Sequence, residues 1–325
     1  MKIAINGFGR IGRTILRQVL TGAQPDVEVV AVNDIAGAEM CAYLFGYDST
    51  FGPFPGPVRA ADGRLHAAGQ AIPLTHHADL RAVDLQGVDV VLECTGRANT
   101  PQIAAAGLDA GAGAVLISGP SAAAERTIVL GANEGELGAA RIVSNASCTT
   151  NALAPLLALL HRHRGIVSAH STTIHCYTAS QPMVDTPRAD MARSRAGALS
   201  MVPTTTSATG LVDAVLPELA GRVTGAAVRV PTASVSAIDL TVTLAAETDV
   251  AAVNAALVAA DDRLIGTTTL PLVSSDLRGR PESVIMALPE TLAIAPRQVR
   301  LFGWYDNEWG FSARMCDMAR RMAAR

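Results

Sequence analysis

Residues 2–12, KIAINGFGRIG, constrain this chain more than any other stretch. An apolar β-prone run, 2–5, leads directly into Gly7, Gly9 and Gly12 in the pattern G-x-G-x-x-G, and the string opens a segment of helical character, 10–21. In that setting each glycine has a task. Gly7 permits a tight turn, Gly9 lets a pyrophosphate approach the backbone, and Gly12 lets helix and strand pack closely. The helix N-terminus, entered through Arg10 and Ile11, attracts the negative phosphates. Asp34 follows the next β-prone run, 22 residues after Gly12. An acidic side chain there accepts hydrogen bonds from ribose hydroxyls and repels a 2′-phosphate, which points to NAD over NADP, although Asp34 also fits a plain end-of-strand turn.

Further short apolar runs stand at 27–32, 88–92, 114–117 and 141–143, alternating with helical segments such as 101–110, which Thr100 and Pro101 would open. Strands this apolar are buried on both faces. Their alternation with helices implies an α/β fold, a Rossmann-type doubly wound parallel sheet over residues 1–147. Thr95 and Gly96, and Ser118, follow two of the runs, at the carboxyl ends of strands where such sheets take ligands; ordinary turns need no ligand there. After Asn151 the pattern changes. A helix is expected over 152–163, strands over 166–177, 224–230, 234–244 and 299–304, and helical pieces near 207–219 and 249–260. This reads as an α+β catalytic domain over 148–311, followed by a terminal helix, 312–325, that packs back on the NAD-binding domain.

Composition removes several classes of function. With 26 Lys+Arg against 29 Asp+Glu the formal charge is -3, so no broad positive field exists to hold nucleic acid as a main partner. Mean hydropathy is +0.28. Yet the longest apolar stretch, 152–160, has nine residues with Pro155 inside it, about half a bilayer span, and no membrane partner is expected. Five cysteines, Cys41, Cys94, Cys148, Cys176 and Cys316, are scattered with no C-x-x-C pair. That argues against a disulfide framework and against a structural metal site. The first residues lack the apolar core of a signal peptide, and a cytoplasmic location is expected.

Cys148 falls between a β-prone run and a helix, among Asn145, Ser147, Thr149, Thr150 and Asn151. Inert cysteines normally have apolar neighbours, which is the reading for Cys41, Cys94 and Cys316. At Cys148 the positive end of a helix would lower the thiol pKa. His175 lies at the end of an alternating run, STTIH. A histidine there is either a hydrogen-bonded structural residue or, facing the thiol, its base. Alternation would put Cys176 on the opposite face of the sheet from His175.

With these motifs in one chain, the sequence resembles the phosphorylating glyceraldehyde-3-phosphate dehydrogenase family over essentially its whole length. The strings that carry the resemblance are IAINGFGRIGR (3–13), VAVND (30–34), YDST (47–50), SNASCTTN (144–151), TTIHCYT (172–178), RVPT (229–232) and WYDNEWGFS (304–312). The resemblance implies Cys148 as the nucleophile that forms a thiohemiacetal and then a thioester, His175 as its base, and Asn307 as the residue that holds the nicotinamide carboxamide. It implies Thr178 and Arg229 for the substrate's own phosphate, with Arg195 reaching toward the anions, and Ser147, Thr149 and Thr206 for inorganic phosphate. The implied partners are a small phosphorylated aldehyde and inorganic phosphate, in a homotetramer whose subunits meet along the loop 178–200.

Several positions depart from the family pattern. Ala152 replaces a second cysteine, Phe311 a common tyrosine, and Ser207 a usual glycine beside Thr206, where it would stiffen the loop or add a hydroxyl. Gly46, Phe51 and Pro53 replace Lys, His and Arg around YDST. Two other readings accompany the first. One is a relative that oxidises erythrose 4-phosphate or another phosphorylated aldehyde to the free acid; the other is a catalytically silent NAD-binding protein.

Overall fold

The computed structural model describes residues 1–325. The chain divides into two compact units, one made of Met1–Ile128, Gly135–Ala146 and Phe311–Arg325, the other of Val129–Glu134 and Ser147–Gly310.

In the first unit the apolar runs become a nine-stranded sheet in the order Arg126–Thr127, Ile142–Ser144, Ala114–Ile117, Val90–Glu93, Lys2–Asn6, Glu28–Asn33, Gln70–Thr75, Arg64–Ala67, Arg59–Ala61. Pairing is parallel up to Gln70–Thr75 and antiparallel in the last two steps. Every residue of Val90–Glu93 and Ala114–Ile117 is buried, as strands covered on both faces require. Gly107 lets helix Pro101–Asp109 lie close on them, since a Cβ there would stand 2.9 Å from Val115 Cγ2 and 3.0 Å from Val91 Cγ2. Lys2–Asn6 is flanked by Glu28–Asn33 on one side and Val90–Glu93 on the other. The strand order reverses there, so loops leaving the carboxyl ends diverge and leave a crevice.

The second unit holds a mixed eight-stranded sheet: Val202–Thr204, Val223–Val230, Ile166–Cys176, Ser236–Leu244, Gln298–Tyr305, Val284–Ala287 and Ile265–Thr268, with Leu292–Ala295 also paired to Gln298–Tyr305. Alternation sets its faces. Ile238, Leu240, Val242 and Leu244 are buried while Asp239, Thr241 and Thr243 between them are half-buried. Helix Cys148–Arg164 packs its Leu153, Leu156, Leu157 and Leu160 into this unit's core, against Ile166–Cys176, Ser236–Leu244 and Val284–Ala287.

Three features differ from the sequence reading. The helix expected from 152 starts at Cys148, because Ser147 Oγ accepts from Thr150 N–H at 3.1 Å and caps it. The polar string Ser147 to Asn151 is thus a cap and a first turn. Residues 129–134 group with the second unit and not the first. Gly131, at φ +82, lies so near this helix and Leu264 that a Cβ would stand 3.0 Å from Pro155 Cβ and 2.8 Å from Leu264 Cδ1. The terminal helix begins at Trp309 and runs to Ala323; inside the first unit its Arg320 donates to Asp26 and Gln24 at 2.6 Å. No helix is long and apolar enough to cross a membrane.

Candidate active site

The crevice in the first unit is a cavity of about 520 Å³ lined by Asn6, Gly7, Gly9, Asp34, Thr95 and Arg97, among others. Gly7 sits at φ +95, and a Cβ on it would come within 2.6 Å of the Cys94 carbonyl carbon and Thr95 nitrogen. A Cβ on Gly12 would stand 2.2 Å from the Gly7 carbonyl oxygen. Both glycines are therefore sterically required. At Gly9 nothing lies within 4 Å of a Cβ position. Gly9 also caps helix Arg10–Leu20 without a side-chain acceptor, so first-turn N–H groups remain for an anion.

Asp34 is held by the fold before any ligand binds: its Oδ2 accepts from Phe8 N–H at 2.5 Å and its Oδ1 from Ala36 N–H at 2.8 Å. A carboxylate has about four acceptor positions, so capacity remains for ribose hydroxyls. These features fit NAD. The buried polar floor below is what sequence reasoning missed. Asn33 Nδ2 donates to Asn6 Oδ1 at 2.8 Å, Thr75 Oγ1 donates to Asn33 Oδ1 at 2.8 Å, and Asn6 Nδ2 donates to the buried Glu93 carboxylate. Glu93 also accepts from the Thr95 N–H and hydroxyl, which orders the turn through Gly96. Ser118 is tied in at its N–H, which donates to Glu93 O at 2.9 Å. Polar residues within apolar strands were the available signal. Arg10 is turned toward Asp48, with which it forms an ion pair, and its guanidinium lies over the Phe51 ring at 5.5 Å. Ile11 is half-buried in the helix's first turn.

In the second unit, Cys148 is the first residue of its helix and keeps partial exposure. Its Sγ lies 3.7 Å from His175 Nε2. His175 is buried near the end of strand Ile166–Cys176 and opposite Arg229 in the ladder. On the far side of the ring, Nδ1 is 2.7 Å from the Cys176 carbonyl oxygen and 2.7 Å from Arg229 Nη1, which itself donates to that carbonyl at 3.0 Å. Two tautomers follow. With the proton on Nδ1 the ring donates to Cys176 O and Nε2 is an acceptor toward the thiol; with Nδ1 bare it accepts from Arg229. Burial, then the charge of Arg229, push the His175 pKa down to about 4 against the support of the Cys176 carbonyl. The imidazole is neutral at pH 7 and free to take a proton.

The expectation of a thiol held ionised by the helix N-terminus meets an opposing cause. Burial pushes Cys148 up, while the Thr149 hydroxyl, Arg229 and the N–H groups of Thr149 and Cys148 pull it down. The net direction is upward, so the resting pair is thiol and neutral imidazole. Burial holds the other cysteines protonated too, Cys41 near about 11 and Cys94 and Cys316 near about 12. Cys176 does not stay apart from His175: its Sγ lies 3.8 Å from His175 Nδ1 and donates to Asn307 Oδ1 at 3.1 Å.

The residues expected at the anion sites are placed unevenly. Thr149 Oγ1 is 2.9 Å from the Tyr305 hydroxyl, and Tyr305 stands edge-on to the His175 ring, a neighbour to which the string 304–312 had given no role. Ser147 Oγ caps the helix, and Thr206 Oγ1 accepts from Ala208 N–H at 3.1 Å. Ser207 has φ -80, so the position makes no demand for glycine. Thr178 pairs with the Ser180 hydroxyl at 2.9 Å. Arg195 is engaged elsewhere, its Nε 2.6 Å from Asp185 Oδ2, and both side chains are exposed.

Family models and known relatives match the chain over most of its length. Residues 1–101 match the family model described as glyceraldehyde 3-phosphate dehydrogenase, NAD binding domain, and residues 147–307 match glyceraldehyde 3-phosphate dehydrogenase, C-terminal domain. Glyceraldehyde-3-phosphate dehydrogenase of Pseudomonas aeruginosa is 48% identical, covering 100% of this chain and 98% of its own. Those of Cereibacter sphaeroides and Geobacillus stearothermophilus are 46% and 42% identical, covering 99% and 100% of this chain and 98% and 99% of their own. Sheet, glycine cradle, thiol and imidazole thus meet in a chain that belongs to the glyceraldehyde-3-phosphate dehydrogenase family of NAD-dependent oxidoreductases.

Proposed function

We propose that the chain converts glyceraldehyde 3-phosphate to 1,3-bisphosphoglycerate by oxidative phosphorylation, with Cys148 as nucleophile and His175 as its acid–base partner. The observation that carries the assignment is the 3.7 Å approach of Cys148 Sγ to a neutral His175 Nε2. As sulfur bonds to the aldehyde carbon, the thiol proton passes to His175 Nε2 and from there to the carbonyl oxygen, which receives the carbonyl electrons, giving a thiohemiacetal. His175 Nε2 then takes the hydroxyl proton as the C–H hydride leaves, and a thioester remains. NAD when bound would supply the hydride acceptor; Asn307 would hold its carboxamide, Gly7, Gly9 and Gly12 its pyrophosphate, and Asp34 its adenosine ribose. Inorganic phosphate attacks the thioester carbon and the sulfur departs as the leaving group, with backbone N–H groups at the helix N-terminus facing the developing oxyanion.

Arg229 and Thr178 serve the substrate phosphate in this reading, and the hydroxyls of Ser147, Thr149 and Thr206 serve the attacking one. Arg195 joins them by giving up Asp185, a solvent-exposed and therefore weak pair. The loop 178–200 supports a homotetramer: Met183, Val184, Met191 and Leu199 are each at least 70% exposed on it. A cytoplasmic location completes the reading. Turnover measured with and without phosphate tests it. The expected result is an acyl phosphate and a rate that collapses without phosphate; free acid at an unchanged rate supports the hydrolytic reading instead. Cys148→Ser should abolish turnover and leave NAD affinity within about twofold, and undiminished turnover refutes the nucleophile.

A further inference from the structure

Asn307 is buried in the turn that follows strand Gln298–Tyr305. Its backbone is set by Asp306, whose Oδ1 accepts from Glu308 N–H at 3.0 Å and Trp309 N–H at 2.9 Å and whose Oδ2 accepts from Gly279 N–H at 2.8 Å. That fixes where the side chain starts but not which way its amide faces. An amide carries a donor end and an acceptor end of nearly the same shape, and a neighbour that bonds only one of them must choose. Cys176 is such a neighbour. Its thiol is fully buried and donates to Asn307 Oδ1 at 3.1 Å, a close approach for a sulfur donor.

The thiol is itself held in place. The Cys176 N–H donates to Ser236 Oγ at 3.2 Å, and its carbonyl receives Arg229 Nη1 and faces His175 Nδ1. Burial pushes its pKa up to about 12, so it remains a donor at any working pH. We propose that Cys176 is a positioning residue for the dinucleotide: by occupying Oδ1 it turns the Asn307 amide so that Nδ2 donates outward, to the carbonyl oxygen of the nicotinamide carboxamide. This rests on the assignment of Asn307 to that carboxamide. A flipped amide would set Nδ2 against a poor sulfur acceptor and present an oxygen outward, so the S–H group selects the polarity of the site. The same residue orients His175 by its carbonyl, and one strand end thereby positions both the base and the amide.

The test compares dissociation constants for NAD and for ADP-ribose, which lacks the nicotinamide, in the full-length enzyme. Cys176→Ala should weaken NAD about 3- to 10-fold, the scale of one modest hydrogen bond, with ADP-ribose affinity unchanged. Cys176→Ser, which keeps an O–H donor, should recover most of the loss. In an Asn307→Ala background Cys176→Ala should add less than about twofold, because its partner is gone. Unchanged NAD affinity in Cys176→Ala, an equal loss for ADP-ribose, no recovery by serine, or an undiminished effect without Asn307 each overturns the proposal while leaving the Asn307 assignment standing. Asn307→Ala that binds NAD normally refutes that assignment, and the proposal with it.

Discussion

Replacing His175 by Asn should make the protein more resistant to acid while nearly abolishing its chemistry. In the native protein the imidazole pKa is depressed from 6.5 to about 4, first by burial and then by Arg229. Between those two values the unfolded chain binds a proton that the folded chain refuses, so stability falls as pH falls. With those pKa values, the loss from this one group is about 2 kcal/mol between pH 7.5 and pH 5 and approaches about 3 kcal/mol below pH 4. Above pH 6.5 the group contributes almost no pH dependence. Asn cannot titrate, so in urea unfolding at fixed protein concentration the variant should lose about 2 kcal/mol less than the parent over pH 7.5 to 5. Its acylation rate should fall by about 10²- to 10⁴-fold, the usual scale for losing a general base. Parallel pH dependence in the two proteins would show that His175 is not a depressed base, and the proton bookkeeping of the mechanism would fall.

The cofactor cradle gives two further tests. Gly12→Ala forces a Cβ to within 2.2 Å of the Gly7 carbonyl oxygen; it should cost about 1–3 kcal/mol in thermal or urea unfolding and weaken NAD, and a variant of parental stability refutes the close-packing argument. Asp34→Ala removes the acceptor of the Phe8 and Ala36 N–H groups as well as the proposed ribose partner. NAD affinity should drop about 10- to 100-fold and the preference over NADP should narrow, as titration with each dinucleotide would reveal.

What was legible in the sequence was whatever rests on a period or a backbone requirement. The glycines at 7, 9 and 12 were readable because sterics leave no other residue at Gly7 or Gly12. Val90–Glu93 and Ala114–Ile117 were readable because burial on both faces excludes polar residues, apart from the Glu93 that closes its strand. The arm Arg59–Ala61 and Arg64–Ala67 was not, since its strands carry Arg, His and Ala and hold together by antiparallel pairing with Gln70–Thr75, which local pattern does not encode. Cys148 and His175, the proposed catalytic pair, were legible as residue types, but their protonation state was not. Helix position alone suggested an acidic thiol, and only the surroundings of Cys148 add the desolvation that opposes it. Asn6, Asn33 and Tyr305 went unread because their partners, Glu93, Thr75 and Thr149, lie 42 to 156 residues away.

The two pKa directions at the centre have one cause and one consequence. Burial disfavours charge on either partner, raising the thiol and lowering the imidazole, so the ion pair that would be the stronger nucleophile is the less stable arrangement of the resting site. A thiol held neutral reacts slowly with stray oxidants and electrophiles, because the thiolate is the reactive form. In the proposed reaction, activation depends on moving one proton over the 3.7 Å gap to Nε2. That move places a positive charge beside Arg229, and an anion at Arg229 would relieve the repulsion. A phosphorylated aldehyde brings such an anion with it, so substrate binding itself would raise the basicity of His175 and ionise the thiol at the moment its target arrives. If Arg229 takes the substrate phosphate as proposed, it would suppress the base without substrate and release it with substrate, and an aldehyde of the same chain without its phosphate should lose reactivity in acylation as well as affinity.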